Sequence, residues 1–161
     1  MLKKLLIASV LFGLLFVSCS GKKNELLGGL EKLKWHSDVS DMKNYMENDV
    51  KARYENYKVN RDEKTLSMFF NGGKYAGEEV SSWELKSKEG EFFEFTAKFP
   101  SDDELYERIK KVLTNKLGEP TISEKRKTVW KNESEEGNVK EKITLRKFAD
   151  AVTLVAEAEE K

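Results

Sequence analysis

The chain of 161 residues contains one cysteine and one histidine, so Cys19 and His36 are the first residues to consider for chemistry. A single thiol cannot form a disulfide within its own chain. Cys19 follows Lys3, Lys4 and an apolar run over residues 5–17 that ends at the small residue Ser18. This order is typical of an export signal, and the run is shorter than the roughly 20 apolar residues that span a membrane. We therefore expect residues 1–18 to be a signal peptide.

The residues before the cysteine predict what happens to its thiol. Phe16-Val17-Ser18-Cys19 resembles the lipobox of bacterial lipoproteins, although Phe16 stands where that motif usually has Leu. The resemblance implies a lipid on the Cys19 sulfur, cleavage after Ser18, acylation of the new amine, and a short tether over residues 19–24. It implies a lipid-anchored protein of the bacterial envelope, and Ser20 beside the cysteine favours the outer membrane over the inner one if enterobacterial sorting applies. Alternatively, Ser18 and Ser20 fit an ordinary secretory cleavage after Ser20, which would discard Cys19.

Motifs for catalysis or metal binding are weak. Trp35-His36-Ser37-Asp38 contains the residue types of a hydrolase triad, but neighbours along the chain cannot adopt its geometry. Ser40-Asp41-Met42-Lys43 matches the S-x-x-K motif of serine acyl-enzymes without the companion motifs. The acid pairs Glu78/Glu79 and Asp102/Asp103 would divide acid and base roles only if they were buried in different environments. One His and one Cys are too few for a zinc site, so we expect no metal. Because the catalytic motifs are incomplete, we also expect no enzyme activity and no cofactor.

The charge balance limits the class of partner. Removing residues 1–18 leaves 161 − 18 = 143 residues, the size of one domain. The removed segment holds two lysines and no acid, so 29 − 2 = 27 basic side chains face 29 acidic ones, a formal charge of −2. Nucleic acid binding requires a strongly basic face, so we expect no nucleic-acid partner. The interleaving of both signs along the chain predicts solvated sheet and helix faces.

Two helices are predicted to position the rest of the chain. Ser101-Asp102-Asp103-Glu104 is a capping box with Ser101 as its N-cap, and the helix it opens stops at Gly118 and Pro120. The buried stripe of this helix comprises Leu105, Ile109, Val112, Leu113 and Leu117. An earlier helix of about three turns, capped by Ser37 or Ser40, has Val39, Met42, Tyr45 and Met46 on one side.

The remaining segments alternate apolar and polar residues, as strands with one wet face do. Strands are predicted at about 51–59, 66–70, 75–88, 93–99, 121–132, 140–147 and 151–158. The predicted turns at 136–138 and 149–150 are too short for the crossover connections that parallel strands need, which indicates antiparallel pairing. The sequence thus predicts a single α+β domain over residues 25–161, an antiparallel sheet with two helices on one face.

Two segments hint at an internal repeat. Residues 83–90 and 130–137 share Trp, Ser, Glu and Gly at the same offsets. This match predicts two α-β-β-β units in tandem, at about 35–99 and 100–161. Alternatively, hairpins rich in Lys and Glu produce such coincidences. The layout is similar to the helix-plus-sheet repeats of the beta-lactamase inhibitor protein fold, which recurs in envelope lipoproteins. That resemblance covers architecture and carries no function.

Most aromatic residues lie in the first two thirds of the chain. Tyr75, Trp83 and Phe92 would form a binding platform if they lay on the exposed sheet face, and would be core if they faced the helices, which we favour. From these observations we expect a non-enzymatic protein-interaction module at the membrane surface. The alternative is a module that binds a small lipid, peptide or sugar between helix and sheet.

Overall fold

The computed structural model describes residues 27–134 and 139–160. The predicted signal peptide at 1–18, Cys19 with its tether at 19–24, and the predicted turn at 136–138 lie outside the described residues. Among the described residues, no helix is both long and apolar enough to cross a membrane.

The predicted fold class is wrong. Strands make up 54% of the structure and helices 20%, so the protein is mostly β and is not an α+β sheet with two helices on one face. Its main element is one antiparallel sheet of eight strands. The predicted units of three strands are also wrong, because each half of the chain contributes four strands to this sheet.

The first half begins with two short strands, β1 (Gly29–Leu30) and β2 (Leu33–Lys34), that form a hairpin. Helix α1 (Val39–Tyr45) follows and continues as a π-helical turn (Met46–Val50). The four strands that enter the main sheet are β3 (Arg53–Asn60), β4 (Thr65–Asn71), β7 (Ser82–Lys88) and β8 (Glu91–Pro100). Between β4 and β7, a second small hairpin pairs β5 (Lys74–Tyr75) with β6 (Glu78–Glu79).

The second half begins with helix α2 (Asp103–Leu117). Its four strands are β9 (Ile122–Glu124), β10 (Lys127–Glu133), β11 (Val139–Lys147) and β12 (Ala151–Glu160). The segment 121–132, predicted as one strand, is therefore a hairpin that turns at Lys125 and Arg126. The turn was missed because neither residue is a Gly, Pro, Asn or Asp, the types that normally mark a turn.

The strand order in the sheet is β3-β4-β7-β8-β12-β11-β10-β9. From either edge towards the middle, the strands follow their order along the chain. The last strand of each half, β8 and β12, pair in the middle. Trp83 and Trp130, which the sequence match aligns, do not occupy equivalent places in this order. Trp83 lies in the third strand from its edge and Trp130 in the second from the other edge. The duplication stays a prediction.

One face of the sheet is buried, as the alternation of each strand requires. Its members are Trp83 and Leu85 of β7, Phe95, Ala97 and Phe99 of β8, Val152, Leu154 and Ala156 of β12, Ile143 and Leu145 of β11, and Trp130 of β10. Buried residues of the helices, such as Met42 and Ile109, belong to the same cluster. The side chains of opposite parity form a second face, called here the outer face. Both described helices have their buried residues in the core cluster on the first face.

The helix caps differ from the sequence-based prediction. Asp102, not Ser101, caps α2 by accepting a hydrogen bond from Glu104 N at 2.9 Å, whereas the Ser101 hydroxyl donates to the carbonyl oxygen of Ala149 at 3.1 Å. Similarly, Asp38 caps α1 through Asp41 N at 2.9 Å. In both helices an aspartate next to a predicted serine is the N-cap. Its carboxylate accepts a hydrogen bond from an N–H of the first turn, and the positive end of the helix dipole stabilises its negative charge.

Candidate binding face

The residues predicted to carry chemistry are not assembled into a catalytic site. His36 adopts a left-handed backbone conformation with φ 67°, and its Nδ1 lies 3.2 Å from Oε2 of Glu91. Asp38 is occupied by the cap of α1, and Ser40 donates its hydroxyl proton to Asp38 Oδ1 at 2.7 Å. Lys43, the lysine of the S-x-x-K match, lies over the ring of Tyr54, 4.7 Å from its centroid. Ser40 and Lys43 thus have separate structural roles.

Of the acidic residues considered for acid–base chemistry, Glu79 is exposed and Asp102 serves as a helix cap. Glu78 accepts a hydrogen bond from Arg108 Nε at 2.7 Å, and this bond lowers the pKa of the Glu78 carboxyl. The hydrogen bond from Glu104 N to the Asp102 cap likewise lowers the pKa of Asp102. In the described part of the chain, no group of three His, Cys, Asp or Glu side chains is arranged to hold a metal ion.

The aromatic residues proposed as a binding platform belong to the core. Tyr75, Trp83 and Phe92 are 5%, 2% and 0% exposed. All three have their rings within 6.5 Å of Phe95, centroid to centroid. They fill the space beneath the sheet and so form no binding platform on its exposed face.

The outer face of the C-terminal half has a neutral row that crosses the strands. Strand register places Ile122 opposite Val129, Val129 opposite Thr144, and Thr144 opposite Val155. Thr96 of β8 continues the row opposite Val155. Val129 is only 3% exposed although it lies on this face, whereas its neighbours in the row are half-buried.

A row of cations runs along each side of this neutral row. On one side Lys131 lies directly opposite Lys142, and on the other Lys127 lies directly opposite Arg146. Each cation is two residues from the neutral row along its own strand. We call these four cations and the neutral row between them the basic face.

Most of this charge is uncompensated within the part of the chain that the structure describes. Lys142 pairs with Glu157 of β12. No described carboxylate lies within 4.0 Å of the charged groups of Lys127, Lys131 or Arg146. The depression over the basic face is lined by all four cations and by Glu157 as its only acid among the described residues.

The N-terminal half of the same outer face is arranged differently. Lys86 of β7 lies 2.8 Å from Glu94 of β8, its cross-strand partner, and the Ser67 hydroxyl donates to Glu84 at 2.9 Å. Charged side chains in the middle of that half, on β7 and β8, are thus paired with each other. Lys127, Lys131 and Arg146 of the basic face have no such partner among the described residues.

An exposed aromatic ring lies at the rim of the basic face. Phe148 follows β11, is 48% exposed, and donates its backbone N–H to the carbonyl of Ala151 at 2.7 Å. It lines the same depression as Val129, Thr144 and Val155. An exposed ring beside small apolar residues is a typical anchor in protein interfaces.

The sequence alone does not predict the basic face, because interleaved charges are typical of solvated faces. Residues 127–131 and 142–146 do carry a pattern: in each segment a neutral residue has a cation two positions before it and another two positions after it. Only the register of β10 against β11 shows that these cations lie opposite each other. The pattern does not include Val155, because Val155 belongs to the next strand, β12.

A second unusual feature is a buried carboxylate, Glu141 of β11, which is 2% exposed. It accepts hydrogen bonds from Leu27 N at 2.5 Å, from Gly28 N at 2.6 Å and from the indole Nε1 of Trp35. Three donors satisfy its oxygens, as a buried charge requires. Glu141 thus fastens the first described residues to the sheet.

Comparisons with known proteins return no relative for this chain. No family model, no curated protein and no solved structure matches it.

Proposed function

We propose that this chain is a lipid-anchored, non-enzymatic protein-interaction module of the bacterial envelope that binds its partner through the basic face. The observation that carries the proposal is the pair of cation rows on either side of a neutral row, in which only Lys142 has a carboxylate partner among the described residues, with Phe148 at the rim. Such a surface combines apolar contact area with charges that select a partner. The proposal does not involve catalysis, a metal or a cofactor.

The anchor in this proposal is Cys19, on the strength of its lipobox-like sequence. Eight chain steps separate Cys19 from Leu27, which Glu141 holds at the sheet. At no more than about 3.5 Å per residue, they span at most about 28 Å. The domain would therefore stay close to the bilayer, and a partner would have to be within reach of the membrane surface.

Mass spectrometry of the mature N-terminus tests the anchor. We expect a chain that begins at a lipid-modified Cys19, and a Cys19→Ala variant that leaves the membrane fraction. An unmodified chain that begins at Gly21 would show that the secretory cleavage after Ser20 is the correct one. In that case the anchor part of the proposal fails while the binding face is unaffected.

Site-specific photocrosslinking in living cells tests the interaction. A photoreactive residue at Thr144, in the centre of the basic face, should yield a reproducible crosslinked protein. The same residue at Lys58, on the outer face of the far edge strand β3, is the matched control and should yield none. If neither position yields a protein adduct under any growth condition, the interaction module is the wrong function.

The alternative, a binder of a small lipid, peptide or sugar, receives no comparable support. It required aromatic residues to line a space between helix and sheet. Tyr75, Trp83 and Phe92 are instead packed in the core, with ring contacts to Phe95.

A further inference from the structure

The basic face contains repulsion between like charges that the fold itself does not require. Like charges directly opposite each other on neighbouring strands are destabilising. Two such pairs of cations, Lys131 with Lys142 and Lys127 with Arg146, lie on adjacent strands of a single hairpin. The outer face also has one like-charge pair of acids, Glu94 with Glu157, but each of these acids has its own lysine partner, Lys86 and Lys142. Three of the four cations have no such partner among the described residues, and this departure from a local rule points to a function for the basic face.

The acids near the basic face do not remove this repulsion. Glu157 neutralises Lys142 only, and Glu124 lies opposite Lys127 without approaching its charged group within 4.0 Å. Among the described residues no carboxylate pairs with Lys127, Lys131 or Arg146, which leaves these three cations for the carboxylates of a partner. Their positions on both sides of the neutral row require a partner that is acidic on two flanks.

The dimensions of the surface indicate the shape of that partner. Lys142 and Arg146 are four residues apart on β11, which separates the two cation rows by about 13 Å. An α-helix with its side chains is about 10–12 Å wide, so it fits along the neutral row between them. From Ile122 to Val155 the row crosses three strand spacings of about 4.8 Å, or about 14 Å. A helix covers that length with roughly ten residues at 1.5 Å each.

We propose that the partner presents an amphipathic helix whose narrow apolar ridge is flanked by carboxylates on both sides. The ridge lies on Ile122, Val129 and Val155, and Phe148 contacts the flank of the helix beside Arg146. One row of carboxylates pairs with Lys131 and the other with Lys127 and Arg146. This inference rests on the proposed function, since it names the chemistry of the partner that the basic face binds.

Binding of synthetic helical peptides to the full chain in detergent tests the inference. The probe is a peptide of about 15 residues with a Leu/Ile ridge and Glu on both flanks; a second peptide has Lys at the flanking positions, and a third has Gln in place of the ridge. We expect measurable binding of the first peptide only, weakening as salt screens the charges. Equal binding of the Glu- and Lys-flanked peptides would overturn the proposal.

Charge reversals locate the site. Lys131→Glu and Arg146→Glu lie on opposite flanks, and each should weaken binding of the Glu-flanked peptide by about tenfold. Lys58→Glu, on the outer face of β3, is the matched control and should leave binding unchanged. If Lys58→Glu weakens binding as much as the other two, the attraction is general and the proposal is wrong.

Two further outcomes separate this inference from the proposed function. If vesicles of anionic phospholipid bind the basic face while the Glu-flanked peptide does not, the surface recognises lipid headgroups and the helix proposal fails. If the photocrosslink from Thr144 maps to a protein segment without acidic flanks, the interaction module stands but its partner chemistry is wrong. A crosslink that maps to an acidic helical segment supports both.

Discussion

The indole Nε1 of Trp35 donates a hydrogen bond to the carboxylate of Glu141, a residue 106 positions further along the chain. Together with the N–H groups of Leu27 and Gly28, it gives this buried acid three donors. The contact joins the first hairpin to a strand of the opposite half of the sheet. It fixes the point at which the chain from Cys19 meets the folded domain.

Glu141→Gln should destabilise the fold. An amide keeps one acceptor oxygen but directs an NH₂ group at the same N–H donors, so one or more buried donors lose their partner. We expect the free energy of unfolding to fall by about 1.5–3 kcal/mol, the range for hydrogen bonds to charged groups. Urea denaturation measures it. Glu159→Gln, at an exposed position of β12, is the matched control and should change stability by no more than about 0.5 kcal/mol.

Trp35→Phe should remove only the indole donor. A phenyl ring can retain the packing against Phe92, whose ring centroid is 4.9 Å from that of Trp35. The free energy of unfolding should fall by about 1–3 kcal/mol, because the carboxylate loses one of its donors. The double variant with Glu141→Gln should lose less than the sum of the single losses, as interacting residues do. Strict additivity would mean that the two residues are not energetically coupled.

Asp38 should contribute to stability in a pH-dependent way. Hydrogen bonds from the Ser40 hydroxyl and from Asp41 N lower the pKa of this carboxyl below its ordinary value of 3.8. Its contribution is therefore complete above that value and is lost as the pH falls through the lower folded-state pKa. Asp38→Asn keeps the N-cap at neutral pH but should flatten this part of the acid denaturation profile. Ser40→Ala should have a smaller effect in the same direction; an unchanged profile in both variants would contradict the assignment.

Tyr106→Phe should test a buried hydroxyl pair between α2 and β10. The Tyr106 hydroxyl lies 2.7 Å from Oγ1 of Thr128, and Thr128 is fully buried. Without the phenol, the threonine hydroxyl loses this partner, so the free energy of unfolding should fall by about 1–2 kcal/mol. Tyr57→Phe, at a ring that is 63% exposed, should be close to neutral in the same thermal or urea measurement.

Lys131→Glu should make the domain more stable while impairing its function. The substitution replaces a like-charge cross-strand pair with an opposite-charge pair to Lys142, which should raise the free energy of unfolding by about 0.2–1 kcal/mol. Lys58→Glu, opposite the neutral Ser67, should leave stability nearly unchanged. If Lys131→Glu lowers stability, the two lysines do not repel each other and the argument for a functional basic face loses its premise.

The local elements were largely predictable because their signals are local. Alternation predicted most of the strands, and the aromatic residues favoured as core are buried. The 3.6-residue periodicity predicted the buried stripe of α2 correctly except for Val112, which is 45% exposed. Gly118 correctly predicted the end of this helix. Errors arose where a stronger local signal was lacking. The turn at Lys125 and Arg126 has no turn-forming residue, so one strand was predicted where the chain forms a hairpin. One strand was also predicted over 75–88, where the chain forms the β5–β6 hairpin and then β7.

Only part of the candidate site could be predicted from such local sequence signals. Glu141 shares the parity of Ile143 and Leu145, which places it on the buried face, but its residue type indicated solvent. Its donors come from residues 27, 28 and 35, which no pattern near β11 reveals. The cations of β10 and β11 likewise read as ordinary wet-face residues until the register placed like charges opposite each other.

The sequence by itself predicted an export signal over residues 1–18 and a lipid on Cys19, which stay predictions. It also determined most of the segments that form helices and strands, since each depends on residues close together in the chain. Only the tertiary structure decided that β8 pairs with β12, that Val155 completes the neutral row, and that Trp35 and Leu27 meet Glu141. Those relationships depend on the order and register of distant strands. That order follows from the packing of the whole core, which no local pattern specifies.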